Sequence, residues 1–136
     1  MTVLYLDTSA LAKLVTREAE SAALQAYLAE RSEAPWVTVG LTRTELLRAA
    51  YRTGAPQTVD DARTVLATLD VMVLTDRLLD DAGTLPPAEL ATLDAIHLAG
   101  AKMVGPGLEA VVTYDGRMYD AARAAGLPVA RPGAPR

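Results

Sequence analysis

Four acidic residues occupy positions at which a carboxylate needs a partner or a purpose. Asp7 ends the apolar run VLYL, Asp115 follows the run AVVT after one tyrosine, Glu45 directly precedes two leucines, and Asp94 lies between leucines placed four residues before and after it. Two carboxylates about 4 Å apart repel each other by about 4 kcal/mol at an effective dielectric of 20. If the four converge, the cluster must therefore bind protons or cations. Because the chain has no cysteine and a single histidine, the oxygen ligands fit Mg²⁺ or Mn²⁺ better than zinc.

The hydrophobic pattern predicts an α/β fold in which helices flank a mostly parallel sheet of four to five strands. Short apolar runs predict strands at residues 3–6, 36–39, 71–74, 110–113 and 128–130. Helical spacing and turn residues predict helices at residues 10–15, 18–31, 42–52, 59–69, 76–84, 89–104 and 117–125. In such a sheet, ligands bind beyond the carboxyl ends of the strands. Asp7 and Asp115 follow two of those ends, so we expect them to meet.

The chain has the length and composition of one globular domain. Its 136 residues, 51% of them hydrophobic, can bury a real core but are too few for two domains. We expect the domain to cover residues 1–130, followed by a loose tail at 131–136. The net charge of −4 argues against a nucleic-acid binder held by phosphate contacts alone. No secretory signal or bilayer-length apolar stretch is found, so we expect a cytoplasmic protein without membrane contact.

Each acid also has a simpler structural explanation. Asp7 and Asp115 could each cap the helix that follows a strand. Thr42 and Glu45 match the T-x-x-E pattern of a capping box at a helix start. Asp94 is the hardest to explain in this way, because it falls inside its predicted helix with no Lys or Arg within one turn. Its carboxylate would be costly on an apolar stripe unless a cation or a pocket receives it.

Four short motifs follow one another along the chain: YLDTSALAKL, TRTELLRA, LDAIHLA and VVTYDGRMYDAA. In their order and approximate spacing they resemble the motifs of PIN-domain ribonucleases, and the whole chain resembles a VapC-type toxin of a toxin–antitoxin pair. The likeness extends from Val3 to about Val129. It implies a PIN-like three-layer α/β/α sandwich and the activity of a metal-dependent endoribonuclease.

The same resemblance implies an acidic pocket, both catalytic and metal-binding, that consists of Asp7, Glu45, Asp94 and Asp115. One or two Mg²⁺ or Mn²⁺ ions held there would activate a water for in-line attack on an RNA phosphodiester and stabilise the leaving oxygen. Thr113 matches a hydroxyl position that helps to hold the pocket together, although it could be an ordinary β-branched strand residue. Ser9 supplies a second hydroxyl near the first acid. His97 is interpreted as a satisfied core or surface histidine.

Three basic residues that lie near the acids in sequence are candidates for RNA contacts: Lys13, Arg43 and Arg117. For any single one of them, an ordinary solvated helix charge is the commoner explanation. The resemblance further implies an RNA substrate, a homodimer and a cognate VapB-like antitoxin that blocks the pocket. Apolar helix segments such as SAALQAYL could serve as an interface, although such stripes more often pack in a core.

Other classes of protein fit the residues less well. A phosphatase with an aspartate nucleophile needs a second Asp two residues after the first, and that position is Ser9. A receiver domain built on Asp76 would need a lysine after the run AVVT, and none follows. A non-catalytic domain of the same fold that binds RNA or protein stays open, since binding residues can persist where activity is lost.

Overall fold

A computed structural model describes residues 2–135 of the chain. Its five strands form one central sheet. They are β1 (Val3–Leu6), β2 (Trp36–Val39), β3 (Asp70–Met72), β4 (Leu108–Val112) and β5 (Val129–Ala130). Their order is β3-β2-β1-β4-β5, and every neighbouring pair is parallel. The predicted α/β class with four to five mostly parallel strands is confirmed.

Helices connect these strands. They are α1 (Thr8–Val15), α2 (Ser21–Ala29), α3 (Leu41–Tyr51), α4 (Pro56–Leu66), α5 (Asp76–Ala82), α6 (Thr92–Val104) and α7 (Gly116–Ala124). A short 3-10 turn at Gly105–Gly107 leads from α6 into β4. In the described part of the chain, no helix combines the length and the apolar character that a membrane span requires.

Side chains alternate between the two faces of the sheet, as the two-residue period of a strand requires. In β1, Tyr5 packs into a core beside α5, α6 and α7, while Leu4 and Leu6 pack into a second core beside α1 to α4. In β4, Val111 and Val112 divide between the same two cores. Helices therefore bury both faces of the sheet, which gives a three-layer sandwich.

The strand order reverses between β1 and β4. The first three strands follow one another outward in chain order, and the chain then crosses to the other side of β1 for β4 and β5. At the carboxyl ends of the two strands, the Asp7 N–H donates to the Val112 carbonyl at 3.3 Å. In open α/β sheets, such a reversal creates a crevice in which ligands bind. The residues that follow β1 and β4 lie at this crevice.

The helix α6 begins later than the sequence predicts. The predicted helix 89–104 starts only at Thr92, because Leu90 closes a tight turn and Ala91 has an extended backbone. The other helix and strand boundaries differ from prediction by a few residues. The late start of α6 matters for function, since it moves Asp94 from inside the helix to its first turn.

Residues 131–135 contact the rest of the domain through two side chains. The Tyr114 hydroxyl donates to the Pro132 carbonyl at 2.8 Å. The guanidinium of Arg131 lies 3.9 Å from the ring centre of Tyr119. The domain limit at residue 130 and the loose tail at 131–136, whose last residue lies outside the described part of the chain, stay predictions.

Gly100 lets α6 pack closely against the sheet. A Cβ atom at this position would stand 2.3 Å from Val39 Cγ1 and 3.5 Å from Tyr5 Cε2. Both neighbours are fully buried side chains in a packed core, so they have little room to move. The distance between α6 and the strands β1 and β2 therefore depends on the missing side chain.

We expect Gly100→Ala to lower the free energy of unfolding by about 1–3 kcal/mol, because the added methyl group overpacks the core. Chemical denaturation followed by circular dichroism measures this change. Gly116→Ala is the matched control, since a Cβ there meets nothing within 4 Å and the residue begins α7. Equal stability of the two variants would show that α6 can shift away from the sheet at little cost.

Candidate active site

Asp7 connects β1 to α1 at the crevice, and its carboxylate is buried. Oδ1 accepts hydrogen bonds from the Ser9 hydroxyl at 2.6 Å and the Ala10 N–H at 3.0 Å. Oδ2 accepts a bond from the Thr113 hydroxyl at 2.5 Å. Burial raises the pKa of Asp7, and the charge of His97 together with these hydrogen bonds opposes that rise. The helix-cap explanation is therefore correct, and the cap also fixes the carboxylate at the crevice.

Asp115 reaches the same crevice from β4 and caps α7. Its Oδ1 accepts hydrogen bonds from the N–H groups of Arg117 at 2.9 Å and Met118 at 3.0 Å. Its own N–H donates to the Thr113 hydroxyl oxygen at 3.1 Å. Thr113 thus donates to Asp7 and accepts from Asp115, so this one hydroxyl joins the two acids.

Glu45 approaches the crevice from the second turn of α3. Its Oε1 accepts hydrogen bonds from the Thr8 hydroxyl and from His97 Nε2, both at 2.7 Å. Burial raises the pKa of Glu45, but the bonds from His97 and Thr8 and the charge of His97 outweigh it. The pKa of Glu45 therefore lies below its ordinary value, which keeps the carboxylate ionised.

The capping-box explanation of Glu45 is wrong. The cap position of α3 is Gly40, which makes no side-chain hydrogen bond to the helix. Thr42 lies inside α3, where its hydroxyl is 2.7 Å from the hydroxyl of Thr38. Because the helix begins one residue before the T-x-x-E pattern, Glu45 cannot reach back to a cap and instead bonds to α1 and α6.

Asp94 lies in the first turn of α6, where the helix dipole favours a negative side chain. The expected position in the middle of a helix is wrong, because α6 starts late. Burial and the charge of Asp115 raise the pKa of Asp94; the charge of His97 opposes this, and those of Asp7 and Glu45 add to it. The charges of the other three acids therefore all act on Asp94 at the crevice.

Three of the four acids have carboxylate oxygens that accept no hydrogen bond from residues 2–135, whereas both oxygens of Asp7 accept hydrogen bonds. Glu45 accepts its hydrogen bonds at Oε1, and Asp115 accepts its bonds at Oδ1. Oε2 of Glu45 and Oδ2 of Asp115 therefore accept no hydrogen bond from residues 2–135. Asp94 accepts none at either oxygen from the same residues. Hard carboxylate oxygens are the ligands that Mg²⁺ and Mn²⁺ prefer. The donor chemistry of the crevice fits such an ion.

The spacing of the acids is wider than that of an assembled metal centre. Among residues 2–135, no three Asp, Glu or His side chains stand close enough to hold one ion between them. Repulsion between like charges favours this spacing. A shared cation would have to draw the carboxylates together.

The basic candidates have different surroundings. Lys13 is buried, and its Nζ pairs with Glu20 at 2.9 Å and Glu18 at 3.1 Å. Arg43 and Arg117 are exposed in the first turns of α3 and α7. Lys13 is thus occupied by carboxylates of its own chain, whereas both arginines are accessible on the edge of the sheet that carries the acids.

Sequence reasoning missed the side chains that hold Glu45. His97 is a satisfied buried histidine, as interpreted, but its partners are Glu45 and the Tyr5 hydroxyl, which lies 2.7 Å from Nδ1. Thr8, the other donor to Glu45, has no pattern in the sequence that marks it. One signal was present for His97: it lies three residues after Asp94, so the two share a helix face.

The sequence matches the PIN-domain family over residues 4–124. It is 46% identical to Ribonuclease VapC46 of Mycobacterium tuberculosis (strain ATCC 25618 / H37Rv) over 97% of this chain and 99% of that protein. The chain belongs to the VapC-type PIN-domain ribonucleases. This PIN domain is also 41% identical to Ribonuclease VapC47 of Mycobacterium tuberculosis (strain CDC 1551 / Oshkosh), over 98% of this chain and all of that protein. This family membership takes the place of the phosphatase and receiver-domain interpretations.

Solved structures share the fold of this PIN domain at lower identity. Mycobacterium tuberculosis VapC20, described as a sarcin-ricin loop cleaving toxin, superposes with a TM-score of 0.74 at 21% identity, over 95% of this chain and 99% of that one. VapBC2 from Rickettsia felis, solved with a DNA fragment from its promoter, superposes with a TM-score of 0.73 at 12% identity, over 95% of this chain and 98% of that one. The expected PIN-like sandwich is confirmed.

Asp94→Asn should stabilise the metal-free PIN domain at neutral pH. Since the pKa of Asp94 is raised, the folded state binds its proton more tightly than the unfolded state does. The stability that the protonated Asp94 contributes to the wild type is therefore lost as pH rises through its raised pKa. Asn carries no charge and avoids that loss. We expect a gain of up to about 1 kcal/mol at pH 7, after allowance for solvent screening. The gain should disappear near the ordinary pKa of Asp.

Thermal unfolding at several pH values in the presence of a chelator measures this effect. Asp80→Asn is the matched control, because Asp80 is an exposed acid on α5. A loss of stability in Asp94→Asn at pH 7, relative to this control, would contradict the idea that the other acids repel the Asp94 charge.

Proposed function

We propose that this VapC-type PIN domain is a metal-dependent endoribonuclease that hydrolyses RNA phosphodiester bonds with an activated water, as the toxin of a type II toxin–antitoxin pair. The observation that carries the proposal is the convergence of four acids at the crevice between β1 and β4: Asp7, Glu45, Asp94 and Asp115. The relatives that are 41–46% identical over nearly the whole chain are named as ribonucleases. A domain that only binds RNA or protein has no need to hold four carboxylates in mutual repulsion.

The four acids are the groups that would hold one or two Mg²⁺ or Mn²⁺ ions. When bound, such ions supply an activated water and stabilise the leaving oxygen. The oxygens best placed to take part are those without a hydrogen bond in residues 2–135: both oxygens of Asp94, Oε2 of Glu45 and Oδ2 of Asp115. Without positive charge in the crevice, the carboxylates would repel an RNA phosphate.

The protein's own groups keep the crevice ready for substrate. The Thr113 hydroxyl ties Asp7 to Asp115, while N–H groups at the starts of α1 and α7 hold one oxygen of each acid. Hydrogen bonds keep Glu45 ionised. Because these groups are fixed before the substrate arrives, little reorganisation is needed when the phosphodiester enters.

The same family membership supports two protein partners. We propose a cognate VapB-like antitoxin that blocks the crevice, since an RNA-cleaving toxin must be restrained in the cell that makes it. The Rickettsia felis structure is named as a VapBC2 complex. Homodimer formation is proposed as well, and exposed side chains such as Tyr51 and Val73 offer apolar surface to a partner. The cytoplasm, where RNA is available, is the proposed site of action.

Purified, antitoxin-free protein should cleave total RNA with Mg²⁺ or Mn²⁺ and fail to do so in chelator. Asp94→Asn should lower the cleavage rate by about 100-fold or more, because a metal ligand contributes at least as much as the outer groups whose loss costs 10–100-fold. Sequencing of the new RNA ends measures cleavage and locates the sites. Asp80→Asn, on α5, should cleave like the wild type.

The outcomes separate the proposed enzyme from its alternatives. Equal cleavage by the wild type and by folded Asp94→Asn would point to a contaminating nuclease or to another site. RNA binding by the wild type without cleavage, across total RNA and both metals, would favour the non-catalytic domain.

Arg43 and Arg117 are proposed to contact phosphates that flank the scissile bond. Replacing both with alanine should weaken RNA binding and make it less dependent on salt. In a plot of log binding constant against log salt concentration, the slope should become shallower by about 0.7 for each arginine–phosphate pair lost from single-stranded RNA. Binding is measured in the Asp94→Asn background, so that the RNA stays intact. The control replaces Arg63 and Arg123, which are exposed in the last turns of α4 and α7. Equal salt slopes for the two double variants would remove Arg43 and Arg117 from the interface.

A further inference from the structure

A buried chain of hydrogen bonds runs from the core of the sheet to the active-site crevice. We propose that Tyr5 and His97 are positioning residues that hold Glu45 by Oε1 and thereby present Oε2 to the cation of the nuclease site. The inference rests on the proposed function for the role of Glu45, but the hydrogen-bond chain itself can be tested without RNA. Neither Tyr5 nor His97 is one of the four acids, although both lie within the quoted motifs.

The geometry of the chain is continuous. The Tyr5 hydroxyl lies 2.7 Å from His97 Nδ1, and His97 Nε2 lies 2.7 Å from Glu45 Oε1. Tyr5 is fully buried and His97 is 3% exposed. The chain thus links β1, α6 and α3, and both ring nitrogens of the imidazole have a partner. Thr8 adds a second donor to the same oxygen, at 2.7 Å.

The direction of the hydrogen bonds follows from the two ends of the chain. The Glu45 carboxylate at one end can only accept a hydrogen bond, so Nε2 of His97 carries a proton and donates to it. The Tyr5 hydroxyl at the other end donates to Nδ1. With the proton on Nε2, the imidazole satisfies both neighbours in one tautomer.

Glu45 needs such support more than the other acids do. Asp7 and Asp115 cap helices, so backbone N–H groups orient their short side chains. Asp94 lies in the first turn of α6, where the helix dipole favours its charge. Glu45 lies in the second turn of α3 on a longer side chain, whose ordering costs up to about 2 kcal/mol of entropy. Donors from α1 and α6 replace the helix terminus that Glu45 lacks.

The close packing of α6 sets the Tyr5–His97 contact. Gly100 lies three residues after His97, and a Cβ there would stand 3.6 Å from the Tyr5 hydroxyl and clash with Val39. A bulkier residue would push the helix, and the imidazole with it, away from the phenol. The same glycine that packs α6 therefore keeps the chain of hydrogen bonds short.

The test uses the fact that His97 is the single histidine of the chain. In ¹⁵N-labelled, metal-free protein at neutral pH, the long-range ¹H–¹⁵N spectrum of the imidazole should show a proton on Nε2 and none on Nδ1. Tyr5→Phe removes only the phenol oxygen, so it should shift the Nδ1 signal, which loses its hydrogen-bond donor, while the proton stays on Nε2 beside the Glu45 carboxylate. A proton on Nδ1 in the wild type, or an unchanged Nδ1 signal in Tyr5→Phe, would overturn the proposed chain.

The second measurement is the affinity of RNA-free protein for Mn²⁺, by titration calorimetry. His97→Leu fills the space without donating a hydrogen bond, and it should weaken Mn²⁺ binding by about 10-fold or more, as loss of a group that orients a metal ligand does. His97→Gln can still donate an N–H to Glu45 and should restore most of the affinity. Equal affinity of folded His97→Leu and the wild type would overturn the positioning role.

Two arms keep the outcomes distinct. If His97→Leu does not fold, Tyr5→Phe decides, and an unchanged Mn²⁺ affinity in that variant would then count against the role. If the Mn²⁺ affinity depends on His97 as expected but the wild type cleaves no RNA, the proposed nuclease function fails while the positioning role stands. If RNA is cleaved and the imidazole tautomer is wrong, only the positioning role fails.

Discussion

Repulsion among four carboxylates is the constraint that the rest of this structure has to satisfy. Asp7 is buried, and the charges of Asp7, Glu45 and Asp115 all act on Asp94. The fold tolerates them because each acid is matched to a source of positive potential or to hydrogen-bond donors. Three of the four lie at helix N-termini, where N–H groups and the helix dipole favour negative charge. Glu45, which lacks a helix terminus, depends on donors from α1 and α6.

The parallel sheet explains why these four positions can meet. When every strand runs in the same direction, every following helix starts at the same edge of the sheet, and its N-terminus faces that edge. The reversal of strand order between β1 and β4 then separates the helices on either side and opens a crevice. Fold and function are therefore linked by one geometric fact: the edge that gathers helix N-termini is also the edge that can gather acids and, through them, a cation.

Much of this arrangement could be predicted from sequence, and particular residues show where prediction ended. Asp7 and Asp115 are expected at the crevice because each follows an apolar run, which is local information. Asp94 is predicted inside a helix because its flanking leucines continue the helical pattern, but a turn at Leu90 delays the helix start. The T-x-x-E pattern suggests a cap at Thr42, yet the helix begins earlier and Thr42 instead bonds Thr38. Helix boundaries depend on small energy differences that patterns resolve poorly.

The sequence by itself determined the chemistry of this protein: four acids in unusual positions among its 17 acidic residues, no thiol, one imidazole, and short apolar strands that alternate with helices. Only the tertiary structure decided how the acids are held. His97 meets Glu45 across 52 residues and Tyr5 across 92, while Thr113 meets Asp7 across 106. Such contacts depend on which strands become neighbours and on how closely α6 approaches the sheet at Gly100. Residue types and local periodicity carry the identity of the donors and acceptors, whereas their pairing is fixed by the packing of elements that are distant in the chain.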